Sequence, residues 1–249
     1  MTDLTAIITC KNRTENLGYC LGSIDVCSPR PDCILVDFGN EIPLHKYAKV
    51  YPWLTVIRAV NDTDLFHKTR ALNIGIKAAK TKYVCLTDTD QIFQPNFFGI
   101  VLAELTKGKK RFIRCKTFFS TFQPAIPPTS MNWLRYRQFL SKVKQRQIKD
   151  PHGEGCCHGV SRAWLMSVNG HDEQYIGWGY EDKDLVLRAR AAGFTMVWID
   201  DQTSMVHLPH KRNKNYFKFT HINRNKDYFN KKRGNVRVKV NSNRKWGVQ

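Results

Sequence analysis

Tyr83-Val84-Cys85-Leu86-Thr87-Asp88-Thr89-Asp90 is a short apolar run that ends in two carboxylates one residue apart. The run reads as a buried strand, and the acids as the loop at its carboxyl end. Two carboxylates just past such a strand can reach one divalent cation and the phosphates it bridges. Standing alone, Asp-x-Asp is a common surface turn; the strand before it gives the pair its weight.

Working upstream, the same pattern repeats. Thr5 to Cys10 reads as a strand, Lys11-Asn12-Arg13 as the loop after it, and Thr14 as the cap of a helix carrying Leu17, Cys20, Leu21 and Ile24. Cys33 to Asp37 and Leu54 to Ile57 are two more short apolar strands. A helix with Ala71, Leu72, Ile74, Gly75, Ala78 and Ala79 then leads into Tyr83. This alternation predicts an α/β fold with a mainly parallel central sheet. In such sheets ligands bind outside the carboxyl ends of the strands, which here carry Asn12, Arg13, Asp37 and Asp88.

Downstream, Pro95 opens a helix from Asn96 to Leu105, and the basic run Lys107 to Lys116 leads into a strand. Trp133 to Arg146 has helical spacing, alternates aromatic with basic residues and contains no acid. A charge run is usually a solvated face, but Trp133, Arg135, Arg137 and Lys142 are also what a groove for an anionic polymer needs. A glycine-punctuated stretch runs from Gly153 to Gly159, and Ser161 is placed to cap a short helix with Trp164, Leu165 and Val168.

Gly177-Trp178-Gly179-Tyr180-Glu181-Asp182-Lys183-Asp184 then opens a helix running from Asp182 to Ala192, stopped by Gly193. Acids in a first turn cap a helix well. The glycines add close backbone approach, and Trp178 adds a flat wall beside a carboxylate, the setting of a general base. Thr195 to Ile199 is a further strand, followed by Met205-Val206-His207-Leu208-Pro209-His210.

Composition sets the bounds. A chain of 249 residues with 42% hydrophobic content can bury a substantial core. No apolar run approaches the roughly 18 residues of a membrane span. The start lacks a basic segment and an apolar signal core, so a cytoplasmic chain is expected, with peripheral attachment to an anionic membrane as a variant. The eight cysteines form no Cys-x-x-Cys pair and read as reduced, mostly buried thiols; adjacent Cys156 and Cys157 before His158 are poor zinc spacing. The net charge of +19 favours a polyanionic partner, and from Lys211 onward thirteen basic residues face only Asp227. The expected organisation is one domain over 1–210, in two halves, 1–94 and 95–210. A basic, aromatic-containing tail (211–249) follows, docking through its aromatics with its charge outward.

Ile8-Thr9-Cys10-Lys11-Asn12-Arg13, Leu35-Val36-Asp37, Lys68-x-Arg70-Ala71-Leu72-Asn73-x-Gly75 and Thr87-Asp88-Thr89-Asp90 together resemble a GT-A glycosyltransferase of the family 2 type. The stretch from Gly159 to Gly170, running into Gly177–Asp184, is similar to the second half of β-galactosyltransferases, chondroitin-polymerising enzymes and polypeptide N-acetylgalactosaminyltransferases. The resemblance spans about residues 4 to 210 and implies a Rossmann-like nucleotide-sugar fold and a UDP-sugar donor, with 1–94 as the nucleotide-sugar half and 95–210 as the acceptor and catalytic half. It implies Thr9, Asn12, Arg13 and Asp37 on the uridine, Lys68, Arg70 and Asn73 on the nucleotide side, and Asp88 toward the ribose. Manganese, or magnesium, would sit on Asp90 with His207. Asp88 and His210 stay open as further ligands. Met205 stays open too, although it lies one position too close to His207 to match the galactosyltransferase methionine. Trp178 would face the sugars, Glu181 would contact donor or acceptor, and Asp182 would be the base.

Tyr180 and Lys183 depart from the family pattern beside the acceptor, so they enter as acceptor contacts proper to this chain. An aspartate at position 182 favours inversion. The residues and the resemblance thus predict an inverting, metal-dependent transferase, of hexosyl or N-acetylhexosaminyl type, acting on a polyanion. Hydroxymethylpyrimidine DNA leads, an anionic surface or teichoic-type glycan at the inner membrane follows, and a non-catalytic binding module is the third reading. No obligate protein partner is implied.

Overall fold

The computed structural model describes residues 2–60, 65–125, 127–146, 157–210 and 219–248. The first half alternates β1 (Leu4–Cys10), α1 (Thr14–Asp25), β2 (Asp32–Phe38), α2 (Lys46–Val50), β3 (Leu54–Ala59), α3 (Lys68–Ala78) and β4 (Tyr83–Asp88). Then come β5 (Gln91–Phe93), α4 (Phe97–Thr106), β6 (Arg111–Arg114), β7 (Thr117–Phe119) and α5 (Trp133–Arg146). The remainder is β8 (Cys157–Ser161), α6 (Arg162–Ser167), α7 (Glu181–Ala191), β9 (Thr195–Trp198), β10 (Met205–His207) and α8 (Phe219–Lys232).

Seven strands form one sheet in the order β3-β2-β1-β4-β8-β6-β9. Only β8 runs against its neighbours, β4 and β6; every other pairing is parallel. β1 is buried along its whole length and β4 along all but its last residue, as a sheet covered on both faces requires. One face packs α1 and α4 through Leu17, Leu21, Phe97 and Val101; the other packs α3, α6 and α7 through Ala71, Leu72, Leu165 and Leu185. Gly75 lets α3 lie directly on β1, because a Cβ there would run into Ile7 Cγ2.

A smaller sheet, β5-β10-β7, sits beside the first and is covered by Tyr136, Phe139 and Val143 of α5. Among the described residues all seven cysteines are free and buried; Cys156 and the start of the Gly153–Gly159 stretch lie outside them. Ser161 caps α6 by accepting from Trp164 N–H, as expected. Thr14 does not cap α1: Arg13 holds that position and makes no side-chain cap bond. No helix among the described residues is long and apolar enough to cross a membrane.

The basic segment from 219 to 248 packs back on the domain. Val240 N–H bonds to Val168, Asn241 reaches Asn169 and His171, and Gly247 N–H reaches Glu173. Much of its charge faces outward, with Lys226, Lys231, Arg233, Lys239 and Lys245 among its exposed residues. Residues 211–218 lie outside the described set.

Candidate functional site

The carboxyl ends of β1, β2 and β4 lie side by side, with Thr9 paired to Val36 on one side and Asp88 on the other. The turn after β4 carries Asp90 inward to zero exposure. β10 runs antiparallel to β5 with His207 opposite Gln91, which brings its imidazole to Asp90. His207 Nε2 lies 3.5 Å from Asp90 Oδ1, and His210 Nε2 lies 3.3 Å from Oδ2. Leu208 N–H bonds to the Asp90 carbonyl, and Asn16 Nδ2 and Gln123 Nε2 donate to the Pro209 carbonyl, so the turn between the histidines is fixed.

One ligand atom from each of Asp90, His207 and His210 falls within 4.8 Å of the others. One carboxylate and two imidazoles suit a divalent transition ion. Asp90 Oδ1 is buried and makes no hydrogen bond, with His207 Nε2 3.5 Å away. On that observation the residues fit a cation. The guanidinium of Arg13 supplies the positive charge at 2.9 Å from Oδ2. Asp88 instead faces Lys68, and Met205 is buried in the main hydrophobic cluster.

A second cluster forms around Lys68 at the start of α3. Its ammonium lies 3.1 Å from Asp88, 3.2 Å from Asp182 and 3.6 Å from Glu181. A cation in the first turn of a helix opposes the helix dipole, so the three carboxylates are what hold it there. Burial pulls the Lys68 pKa down, but Asp182, Asp88 and Glu181 outweigh it and keep the ammonium well above the lysine range. Burial, with Asp182 beside it, pushes Glu181 up to about 7 against the pull of Lys68. His158 of β8, 1% exposed, lies 3.8 Å from Asp182 and packs on Phe112.

Several expected donor contacts turn inward. Asp37 is fully buried and accepts from Asn40 N–H, Asn40 Nδ2, Leu44 N–H and Arg58, which commits its lone pairs to the turn after β2 and to β3. The ordered Asn40 then accepts from Asn12 N–H at 2.6 Å, and Asn12 takes a left-handed φ of 54°. Asn73 is likewise consumed, clipping α3 to His171 and Glu173. Arg70 donates to the Val248 carbonyl and lies over Phe38. Thr9 Oγ1 is buried with no hydrogen-bond partner.

The loop before α7 winds through positive φ at Gly177, Gly179 and Tyr180 and leaves Trp178 half exposed. Tyr180 turns its ring onto Phe229 of α8, and the Lys183 ammonium lies over the Tyr180 ring. On α5, Trp133, Arg135, Arg137 and Lys142 are all exposed. Arg13 at Asp90, Lys68 at Asp182, His158 and Asn40 are contacts that sequence spacing does not reveal. Of these four residues only Lys68 and Arg13 carry a signal in the sequence, and for both it points to the nucleotide.

The family model for glycosyltransferase-like family 2 matches residues 2–230. Among curated proteins none matches significantly. The fold is similar to that of S. aureus TarS 1-349 in complex with UDP, with TM-score 0.62 and 12% identity over 84% of this chain and 61% of that one. The complex of the same protein with UDP-GlcNAc gives 0.61 and 12%, over 85% and 60%. GalNAc-T7 with UDP, GalNAc and Mn2+ gives 0.63 and 17%, over 91% and 50%. The chain thus spans between half and about 60% of the solved chains it resembles. A mainly parallel sheet with acids at its carboxyl edge, and a match over nearly the whole length, lead to one assignment: the chain belongs to glycosyltransferase-like family 2 and has the GT-A fold.

Proposed function

We propose that the chain transfers a sugar from a UDP-sugar to a hydroxyl of a polyanionic acceptor, with inversion and with the help of a divalent cation. The observation that carries this reading is the pair of clusters flanking the end of β4, Asp90 with two histidines on one side and Asp88, Glu181 and Asp182 around Lys68 on the other. The UDP and UDP-GlcNAc complexes of TarS, and the Mn2+ complex of GalNAc-T7, support the donor and the ion.

Asp90, His207 and His210 would hold the cation, whose chemistry when bound is to neutralise the leaving diphosphate. In the transfer itself, the acceptor oxygen attacks the anomeric carbon from the face opposite the diphosphate. The new C–O bond forms as the bond to UDP breaks, UDP leaves with the electron pair, and the acceptor proton passes to Asp182. Lys68 keeps Asp182 oriented and offsets the charge of three gathered carboxylates. Trp178 offers the flat wall that a sugar ring stacks on. The exposed cations of α5, with no acid among them, support an anionic acceptor.

The experiment is UDP release from a panel of UDP-sugars with manganese, with and without hydroxymethylpyrimidine DNA, unmodified DNA and an anionic glycan. Release stimulated by the modified DNA alone identifies it as the acceptor; stimulation by the glycan identifies that class instead. Asp182→Asn should abolish release and keep UDP binding. No release with any donor would defeat the reading, and the non-catalytic module would take its place.

A further inference from the structure

We infer that Asn225 of α8, outside every motif that marks the family, is the positioning residue of the Trp178 loop. The inference rests on the proposed role of that loop and of Asp182. Asn225 is 2% exposed, and its amide donates to two carbonyls of the loop, Ile176 at 3.0 Å and Trp178 at 3.3 Å.

The loop needs such a brace. Gly177, Gly179 and Tyr180 have φ of 75°, 104° and 71°, a run of left-handed residues that local sequence does not hold by itself. Gly177 N–H bonds to the Phe66 carbonyl and pins the loop at one point. The two carbonyls held by Asn225 bracket Gly177, so the amide fixes the direction in which the chain carries Trp178 and then enters α7.

The rest of α8 grips the same loop at both ends. Lys232 Nζ bridges Asp172 at 2.6 Å and Asp184 at 2.7 Å, and Tyr228 donates to Asp172 at 2.9 Å. Phe229 receives the ring of Tyr180, the residue immediately before Glu181 and Asp182. These contacts of α8 fall on the wall and on the helix of the base, the acceptor side of the site. Binding of UDP itself and of the cation should not depend on them.

The test uses the full chain with magnesium, which is diamagnetic and leaves the fluorine lines sharp, and 5-fluorotryptophan in place of its six tryptophans, the Trp178 line being assigned with Trp178→Phe. Asn225→Ala removes the amide. Asn225→Asp keeps its shape but turns a donor into an acceptor facing two carbonyls. In both variants the Trp178 fluorine resonance should shift or broaden while the other five stay. The kcat of UDP-GlcNAc cleavage should fall about ten- to a hundredfold, with the UDP affinity within about twofold.

An unmoved Trp178 line in Asn225→Asp overturns the inference. So does a loss that falls on UDP affinity instead of kcat, or one that moves all six resonances together. If the unsubstituted protein cleaves no UDP-sugar, the proposed function fails, and the Trp178 line alone then decides whether Asn225 holds the loop.

Discussion

Arg13 and Asp90 form an ion pair at 2.9 Å across the mouth of the sheet, and Asp90 is the same carboxylate that faces His207 and His210. The guanidinium and a divalent cation therefore compete for one carboxylate. Arg13→Met should tighten manganese binding to the nucleotide-free protein by about three- to tenfold, because a charge-assisted bond no longer has to be displaced. If Arg13 also meets the uridine side, the same variant weakens UDP binding. Titration of manganese by paramagnetic resonance, with and without UDP, measures both.

His207→Ala and His210→Ala should each weaken manganese binding by about tenfold or more, since removing even an outer partner of a ligand costs that much. Losses in both variants would keep both imidazoles at the cation site. A loss confined to one would take the other out of it.

Lys68→Met leaves three carboxylates gathered without their cation. Their ionised forms become harder to reach, so the acid limb of kcat/KM should move up by about one pH unit. Stability should fall by about 3 kcal/mol at pH 8 and by less at pH 5, where Glu181, pushed up to about 7, holds a proton. Urea melts at the two pH values and a pH–rate profile check the two halves of the claim.

Glu181 gives a sign that runs opposite to the ordinary carboxylate. Burial and Asp182 raise it from 4.5 to about 7 in the folded chain. Between those values the native state holds a proton that the unfolded state has released, so this contribution is complete below 4.5 and is lost as pH rises to about 7. Glu181→Gln mimics the protonated form. In chelator, its stability relative to the unsubstituted chain should rise across that window and then level off; a flat difference would show that Glu181 titrates normally.

The strands of the first half are readable because each is an apolar run with an abrupt polar end; β1 and β4 fall within a residue of expectation. Asp90, His207 and His210 are legible because acids and histidines stand out after strands. What spacing does not convey is which way a side chain spends its hydrogen bonds. Asp37 and Asn73 fit a donor pocket by position, yet the structure commits both to neighbours, Asn40 and Arg58 for one, His171 and Glu173 for the other. Asn225 is invisible in the sequence for the same reason, since its partners lie almost fifty residues upstream and are backbone carbonyls. Thr14 misleads because a hydroxyl at a helix start is a good cap on average, while here the chain enters the helix through Arg13.

The single reversed strand of the large sheet bears on how the protein is made. β4 gains its second neighbour only when β8 is reached, and β6 has none on that side until then. A ribosome adding about 5–20 residues per second leaves the edge of β4 unpaired for several seconds, with the acids of the site at its end. An apolar edge left open in this way invites pairing with another chain. Residues 1–94 expressed alone would carry that edge permanently, and nascent chains halted before Cys157 should be the ones that chaperones hold.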